Sequence, residues 1–153
     1  KIIIVGDGKV GFTLAEHLSQ EEHDITVIDT NDALSAHASE ALDVMCVKGN
    51  GASISALRES GVDAADVLIA ATSMDEVNMV CCLTAKRLGA KYTIARVRNV
   101  EYAMELSLLK EALGIDLVIT GNAAAAEIAR LLRFPPAANL ETFCRGRVEL
   151  IAS

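Results

Sequence analysis

Apolar positions along the chain fall into short continuous runs, and between these runs they recur at helical spacing. The runs, at residues 2–6, 24–29, 43–48, 66–71, 92–97 and 116–119, predict strands. Helical patterns occupy 9–20, 31–41, 53–60, 75–88, 100–112 and 122–133. A run that is apolar throughout suits a strand covered on both faces, as in a parallel sheet. Regular alternation of strand and helix implies right-handed βαβ units, and six such strands suit the doubly wound order 3-2-1-4-5-6. After Arg133 the pattern breaks. Phe134-Pro135-Pro136 stops a helix, because proline lacks the N–H and forces its predecessor out of the helical region. Leu140 to Ile151, with Gly146 between two arginines, reads as a small hairpin, a short C-terminal β extension that is either an extra edge structure or the beginning of a further part. The expected organisation is a domain over 1–133 followed by a linker and hairpin over 134–153.

The first strand, Ile2-Ile-Ile-Val, runs directly into Gly6-Asp7-Gly8-Lys9-Val10-Gly11 and then a helix, and the second strand ends in an acid, Asp29. This combination specifies a Rossmann-like α/β fold and a binding chemistry. Gly6 permits the tight turn, Gly8 lets the backbone approach a pyrophosphate, and Gly11 lets helix and strand pack closely. The phosphates would meet the unpaired N–H groups and positive dipole end of the helix beginning near Lys9 and Val10. Asp29 can accept hydrogen bonds from ribose hydroxyls and would repel a 2′-phosphate, favouring NAD over NADP. An ordinary strand–helix turn is the alternative.

Composition narrows the class. At 153 residues, one domain is expected, with 52% apolar residues but only 3% aromatics, so Ile, Val, Leu and Ala must fill the core. A net charge of -7 without a long basic run argues against nucleic acid. No apolar run reaches bilayer length and no secretory leader pattern is present, which leads to the expectation of a soluble, cytoplasmic protein. Cys46, Cys81, Cys82 and Cys144 form no C-x-x-C pair and read as reduced thiols, with no metal site expected.

In the doubly wound order the ligand crevice lies beyond the carboxyl ends of the first and fourth strands. The fourth strand ends Ala70-Ala71-Thr72-Ser73, whose small side chains leave room over the sheet. Ser73 and Glu76 have capping-box spacing, which accounts for both without a ligand, whereas Thr72 and Asn78 remain open to ligand contact. The third strand ends at Gly49-Asn50-Gly51, which can pass close to an adenine or ribose or simply turn. On the fifth strand, Ile94, Arg96 and Arg98 share one face. Arg96, ending a buried strand, needs an anionic partner: a ligand phosphate or a neighbouring acid.

Catalytic chemistry is poorly represented. His17, His23 and His37 read as surface or packing residues, and neither Tyr92 nor Tyr102 belongs to a Tyr-x-x-x-Lys pair. Three classes follow: a regulatory nucleotide-binding module, an NAD-dependent oxidoreductase of the same fold, and a dimerisation module without a ligand.

Taken together, Ile2 to Gly11, Asp24 to Asn31, Gly49-Asn50-Gly51, Ala71 to Asn78 and Ile94 to Arg98 resemble the RCK (or KTN) domain family, over nearly the whole chain. The resemblance implies no enzyme. It implies a cytosolic homo-oligomeric ring of paired domains attached to a potassium-translocating membrane subunit, gated by NAD(H) or ATP/ADP. By position, the site would include Gly6, Gly8, Gly11, Asp29, Thr30, Asn50, Thr72, Ser73, Glu76 and Arg96, together with the motif residues Asp7, Lys9, Val10, Asn31, Gly49, Gly51 and Ala71. The helix ending Ile128 to Arg133 resembles the family's crossover helix. One departure is Thr120-Gly121-Asn122-Ala123, where the family often carries a proline and a glutamate. Another is the family's C-terminal ligand domain, which these residues do not include.

Overall fold

The structure, a computed structural model, describes residues 1–6, 8–21, 23–120, 124–132 and 149–151; for 32–35, 107, 110, 124–127 and 149–151 it describes the backbone alone. Asp7, the 121–123 part of the departure from the family pattern, Arg133 and most of the expected linker and hairpin lie outside the described residues.

Strand and helix alternate as the hydrophobic pattern requires: β1 (Ile2–Val5), α1 (Lys9–Ser19), β2 (Ile25–Asp29), α2 (Asp32–Ala41), β3 (Met45–Lys48), α3 (Ile54–Glu59), β4 (Val67–Ala70), α4 (Asp75–Leu88), β5 (Tyr92–Arg96), α5 (Val100–Leu113), β6 (Leu117–Ile119), α6 (Ala124–Leu131) and β7 (Glu149–Ile151). A 3₁₀ turn over Val62–Ala64, which hydrophobic periodicity does not signal, precedes β4. The sheet order is β3-β2-β1-β4-β5-β6-β7, and every pairing is parallel. Six strands therefore take the expected doubly wound order. A seventh joins the edge, with Glu149–Ile151 lying parallel to Leu117–Ile119.

Because successive strand residues face opposite sides, the apolar runs build two cores. On one face Ile2, Ile4, Val27 and Ile69 pack against Leu14 and Leu18 of α1 and Ile128 of α6. On the other, Ile3, Val5, Leu68 and Ala95 meet Leu57 of α3, Cys81, Cys82 and Ala85 of α4, and Leu106 of α5. Burial pushes the Cys81 thiol up to about 12, so it stays protonated and acts as a small hydrophobe. Covering both faces leaves the strand ends as the place where backbone and polar groups can meet a ligand.

Candidate functional site

β1 and β4 are hydrogen-bonded neighbours at the centre of the sheet, but the chain leaves β1 for α1 on one face and β4 for α4 on the other. The connections diverge, and a cleft of ≈ 770 Å³ opens beyond the carboxyl ends of the strands. This is the switch point of a doubly wound sheet.

The glycine turn forms one wall. Gly6 has φ +95°, a conformation that side chains rarely adopt, and its N–H continues the ladder to the Ile28 carbonyl at 2.8 Å. A Cβ at Gly11 would lie 1.5 Å from the Gly6 carbonyl oxygen, so helix and turn are in direct backbone contact. Gly8 differs. Its φ is -73°, which any residue adopts, and a Cβ there would meet no atom of the described residues within 4 Å. Neither strain nor packing among the described residues calls for glycine at this position. Gly8 is also the N-cap of α1, where no side chain caps the helix and no acid occupies the first turn. The helix thus presents its first N–H groups and positive dipole end to the cleft, beside Lys9 and Val10.

Beside the glycine turn stands the end of β2, since Val5 pairs with Ile28 and Asp29 follows. The Asp29 carboxylate accepts the Asn31 N–H at 2.7 Å, which fixes it in a short turn, and Asp29, Thr30 and Asn31 all line the cleft. The adjoining loop is drawn in by the Gly49 N–H donating to the Asp29 carbonyl at 2.9 Å. Gly51 is pressed against Val5, where a Cβ would come within 2.1 Å of Val5 Cγ1. Asn50 accepts the Ala52 N–H at 2.9 Å and holds the turn between them.

The start of α4 departs from the sequence expectation. Its N-cap is Met74, with no side-chain cap bond, so the capping box expected of Ser73 and Glu76 is not formed. Thr72 organises the turn instead, its hydroxyl oxygen accepting the Met74 N–H at 3.2 Å. Glu76 is exposed and does not line the cleft; its hydrogen bond and charge raise the Tyr102 phenol, placing it toward α5. Asn78, left open as a ligand contact, is fully buried. It accepts the Thr72 N–H and hydroxyl at 2.9 and 2.6 Å and donates to the Thr72 and Arg96 carbonyls at 3.1 and 2.8 Å.

The third wall is cationic. Arg96 ends β5 and lines the cleft, its Nη1 donating to the Thr72 carbonyl at 3.4 Å. Burial, then the neighbouring Arg98 charge, lowers the Arg96 pKa, while Asp75 opposes the shift. Arg98, two residues on, lines the cleft as well.

The structure thus gathers Gly6, Gly8, Lys9, Val10, Asp29, Thr30, Asn31, Gly49, Asn50, Gly51, Ala71, Thr72, Ser73 and Arg96 around one space. Gly11 lies behind the turn as a packing residue, Glu76 faces elsewhere, and Asp7 is outside the described residues. Val5, Ile28, Met74, Val77 and Arg98 are lining residues that the site expectation omits. Arg98 carried a usable signal, since it shares a strand face with Arg96. The histidines lie apart from this lining: His17 is exposed on α1, the His23 ring is 3.5 Å from Glu21, and His37 stacks on Phe12 at 5.0 Å. Among the described residues no His, Cys, Asp and Glu cluster could hold a metal, and no helix is long and apolar enough to cross a membrane.

Residues 2–121 match the TrkA-N domain family. The Trk system potassium uptake protein TrkA homolog of Archaeoglobus fulgidus is 41% identical over 99% of this chain and 34% of its own length. A TrkA homolog of Methanothermobacter thermautotrophicus is 34% identical over 98% of this chain and 68% of its own. Among solved structures, the GsuK channel bound to NAD superposes with a TM-score of 0.64 at 26% identity, covering 76% of this chain and 20% of that one. The chain spans 34% of the length of several curated relatives. A match that runs over residues 2–121, most of the 153-residue chain, settles the family: the chain belongs to the TrkA-N domain family.

Proposed function

We propose that this domain is the nucleotide-sensing part of a potassium uptake regulator. It binds NAD(H), or ATP/ADP, in the switch-point cleft and passes occupancy to a potassium-translocating membrane subunit. Gly8 carries the reading. It is a glycine that neither backbone strain nor packing among the described residues requires, at an uncapped helix N-terminus facing the cleft. A pyrophosphate approaching that backbone supplies the missing reason. Asp29, at the end of the adjoining strand, suits ribose hydroxyls, and Arg96 and Arg98 suit phosphate oxygens.

The relatives named for potassium uptake and the NAD-bound GsuK channel support the same reading. The nucleotide acts as signal and not as reagent, in a cytosolic assembly of several such domains at the inner face of the membrane. A bound nucleotide shifts that assembly only by as much as it prefers one arrangement over another.

The test is thermal melting with NAD⁺, NADH, ADP, ATP and NADP⁺, on the natural chain and Gly8→Ala. At a hundredfold excess over Kd a ligand adds about 2.7 kcal/mol, a shift of several degrees. Gly8→Ala should melt close to the parent, a glycine-to-alanine change at an N-cap costing about 1 kcal/mol or less, yet lose most of the ligand-induced shift. If no nucleotide raises the melting temperature at millimolar concentration, the reading is wrong.

A further inference from the structure

The cleft depends on a clamp behind it that does not itself touch the ligand space. α4 begins beside the cleft, and two side chains of its first turns, Asp75 and Asn78, point away from that space. Both are removed from solvent, Asp75 being 9% exposed and Asn78 0%. Both grip one segment. Asn78 donates to the Arg96 carbonyl at 2.8 Å, while the two Asp75 carboxylate oxygens accept the Arg98 and Asn99 N–H groups at 2.9 and 2.8 Å.

That segment is where the sheet ends. The Val97 N–H still donates to the Ile119 carbonyl, and Val97 is fully buried, but Arg98 and Asn99 lie beyond the ladder and take Asp75 as acceptor. With Val97 turned into the core, Arg96 and Arg98 on either side of it are directed into the cleft. Asn99 then caps α5, its side-chain oxygen accepting the Glu101 N–H at 2.8 Å.

We infer that Asp75 and Asn78 are positioning residues, which hold the backbone of Arg96 to Asn99 so that both guanidinium groups meet the phosphates of a bound nucleotide. The inference rests on the nucleotide reading of the cleft. It makes a prediction opposite in sign to simple electrostatics. Asp75 is an anion close to the arginine wall, so its charge alone weakens the attraction for phosphate. Removing that charge while keeping its shape should tighten ADP if charge dominates, and loosen ADP if backbone placement dominates.

The experiment is calorimetric titration of the folded chain with adenosine and with ADP, comparing the natural sequence, Asp75→Asn, Asn78→Ala and Arg98→Ala. An amide at position 75 can accept through one oxygen only, so one N–H of the segment is released. The ratio of ADP to adenosine affinity should fall about tenfold in Asp75→Asn, the size of one lost charge-assisted contact, with adenosine binding unchanged. In an Arg98→Ala background the same change should cost much less, because coupled residues are not additive. Asn78→Ala should behave like Asp75→Asn wherever melting shows that it folds. A raised ADP to adenosine ratio in Asp75→Asn, or an equal loss for both ligands, overturns the inference. If the natural chain does not prefer ADP over adenosine, the nucleotide reading falls first and takes the inference with it.

Discussion

Replacing Gly11 with alanine is expected to destabilise the domain by about 3 kcal/mol or more, at the upper end of overpacking costs. The added Cβ would lie 1.5 Å from the Gly6 carbonyl oxygen and 2.6 Å from its carbon, so it cannot be accommodated by a side-chain rotation. Gly6 cannot retreat easily either. Its N–H is held by the Ile28 carbonyl, and its other side abuts the Ala71–Thr72 backbone, where a Cβ would come within 2.9 Å. Relief requires α1 to lift from β1, which loosens Leu14, Ala15 and Leu18 in the core beneath it. A domain of this size has roughly 5–15 kcal/mol in total, so the loss should lower the melting temperature by roughly 10 °C. Thermal and urea unfolding measure it directly. A melting temperature within about 2 °C of the parent would mean that the helix–turn contact is not as tight as described. The contrast with Gly8→Ala is instructive, since the fold itself requires Gly11, whereas Gly8 is proposed to serve a ligand.

The largest functional effect should come from Asp29→Ala. A carboxylate that receives the two ribose hydroxyls contributes charge-assisted hydrogen bonds, and their loss should weaken NAD⁺ by roughly 2–3 kcal/mol, about 30- to 150-fold. The preference over NADP⁺ should narrow at the same time, because the repulsion of a 2′-phosphate disappears. Asp29 also accepts the Asn31 N–H, so part of any loss in the alanine variant could come from a loosened turn. Asp29→Asn separates the two effects, keeping an acceptor for Asn31 while removing the charge. Titration of both variants with NAD⁺ and NADP⁺ is the measurement. If Asp29→Asn restores full affinity and full discrimination, the carboxylate is a turn residue and nothing more.

The sheet was legible in the sequence because its central strands are covered on both faces, and an unbroken run such as Ile2 to Val5 has few other readings. The order of the six strands followed from the alternation with helices. An extra edge structure was one of the two readings of the C-terminal tail, but nothing marked β7 as parallel to β6. β7 is only Glu149–Ile151, and pairing with Leu117–Ile119 is a long-range event that no local pattern encodes. At the cleft, the glycine turn and Asp29 could be read because each occupies a fixed place relative to a strand end. The Ser73 to Glu76 stretch could not. Its spacing fits a capping box, but Thr72 takes over the turn and α4 begins at Asp75, which leaves Glu76 facing α5. Asn78 illustrates the same limit. A polar residue early in a helix beside a cleft reads as a ligand contact, and only the fold reveals that its side chain bonds to Thr72 and Arg96.

A nucleotide is proposed to bind in the cleft between the ends of β1 and β4. Amide chemical-shift mapping by NMR during ADP addition tests it most directly, since it reports position as well as affinity. Binding there should give saturable shifts concentrated at Gly8, Lys9 and Val10, at Asp29 to Asn31, at Asn50, and at Arg96 to Asn99. Saturable shifts that cluster elsewhere, or none at millimolar ADP and NAD⁺ alike, would contradict it.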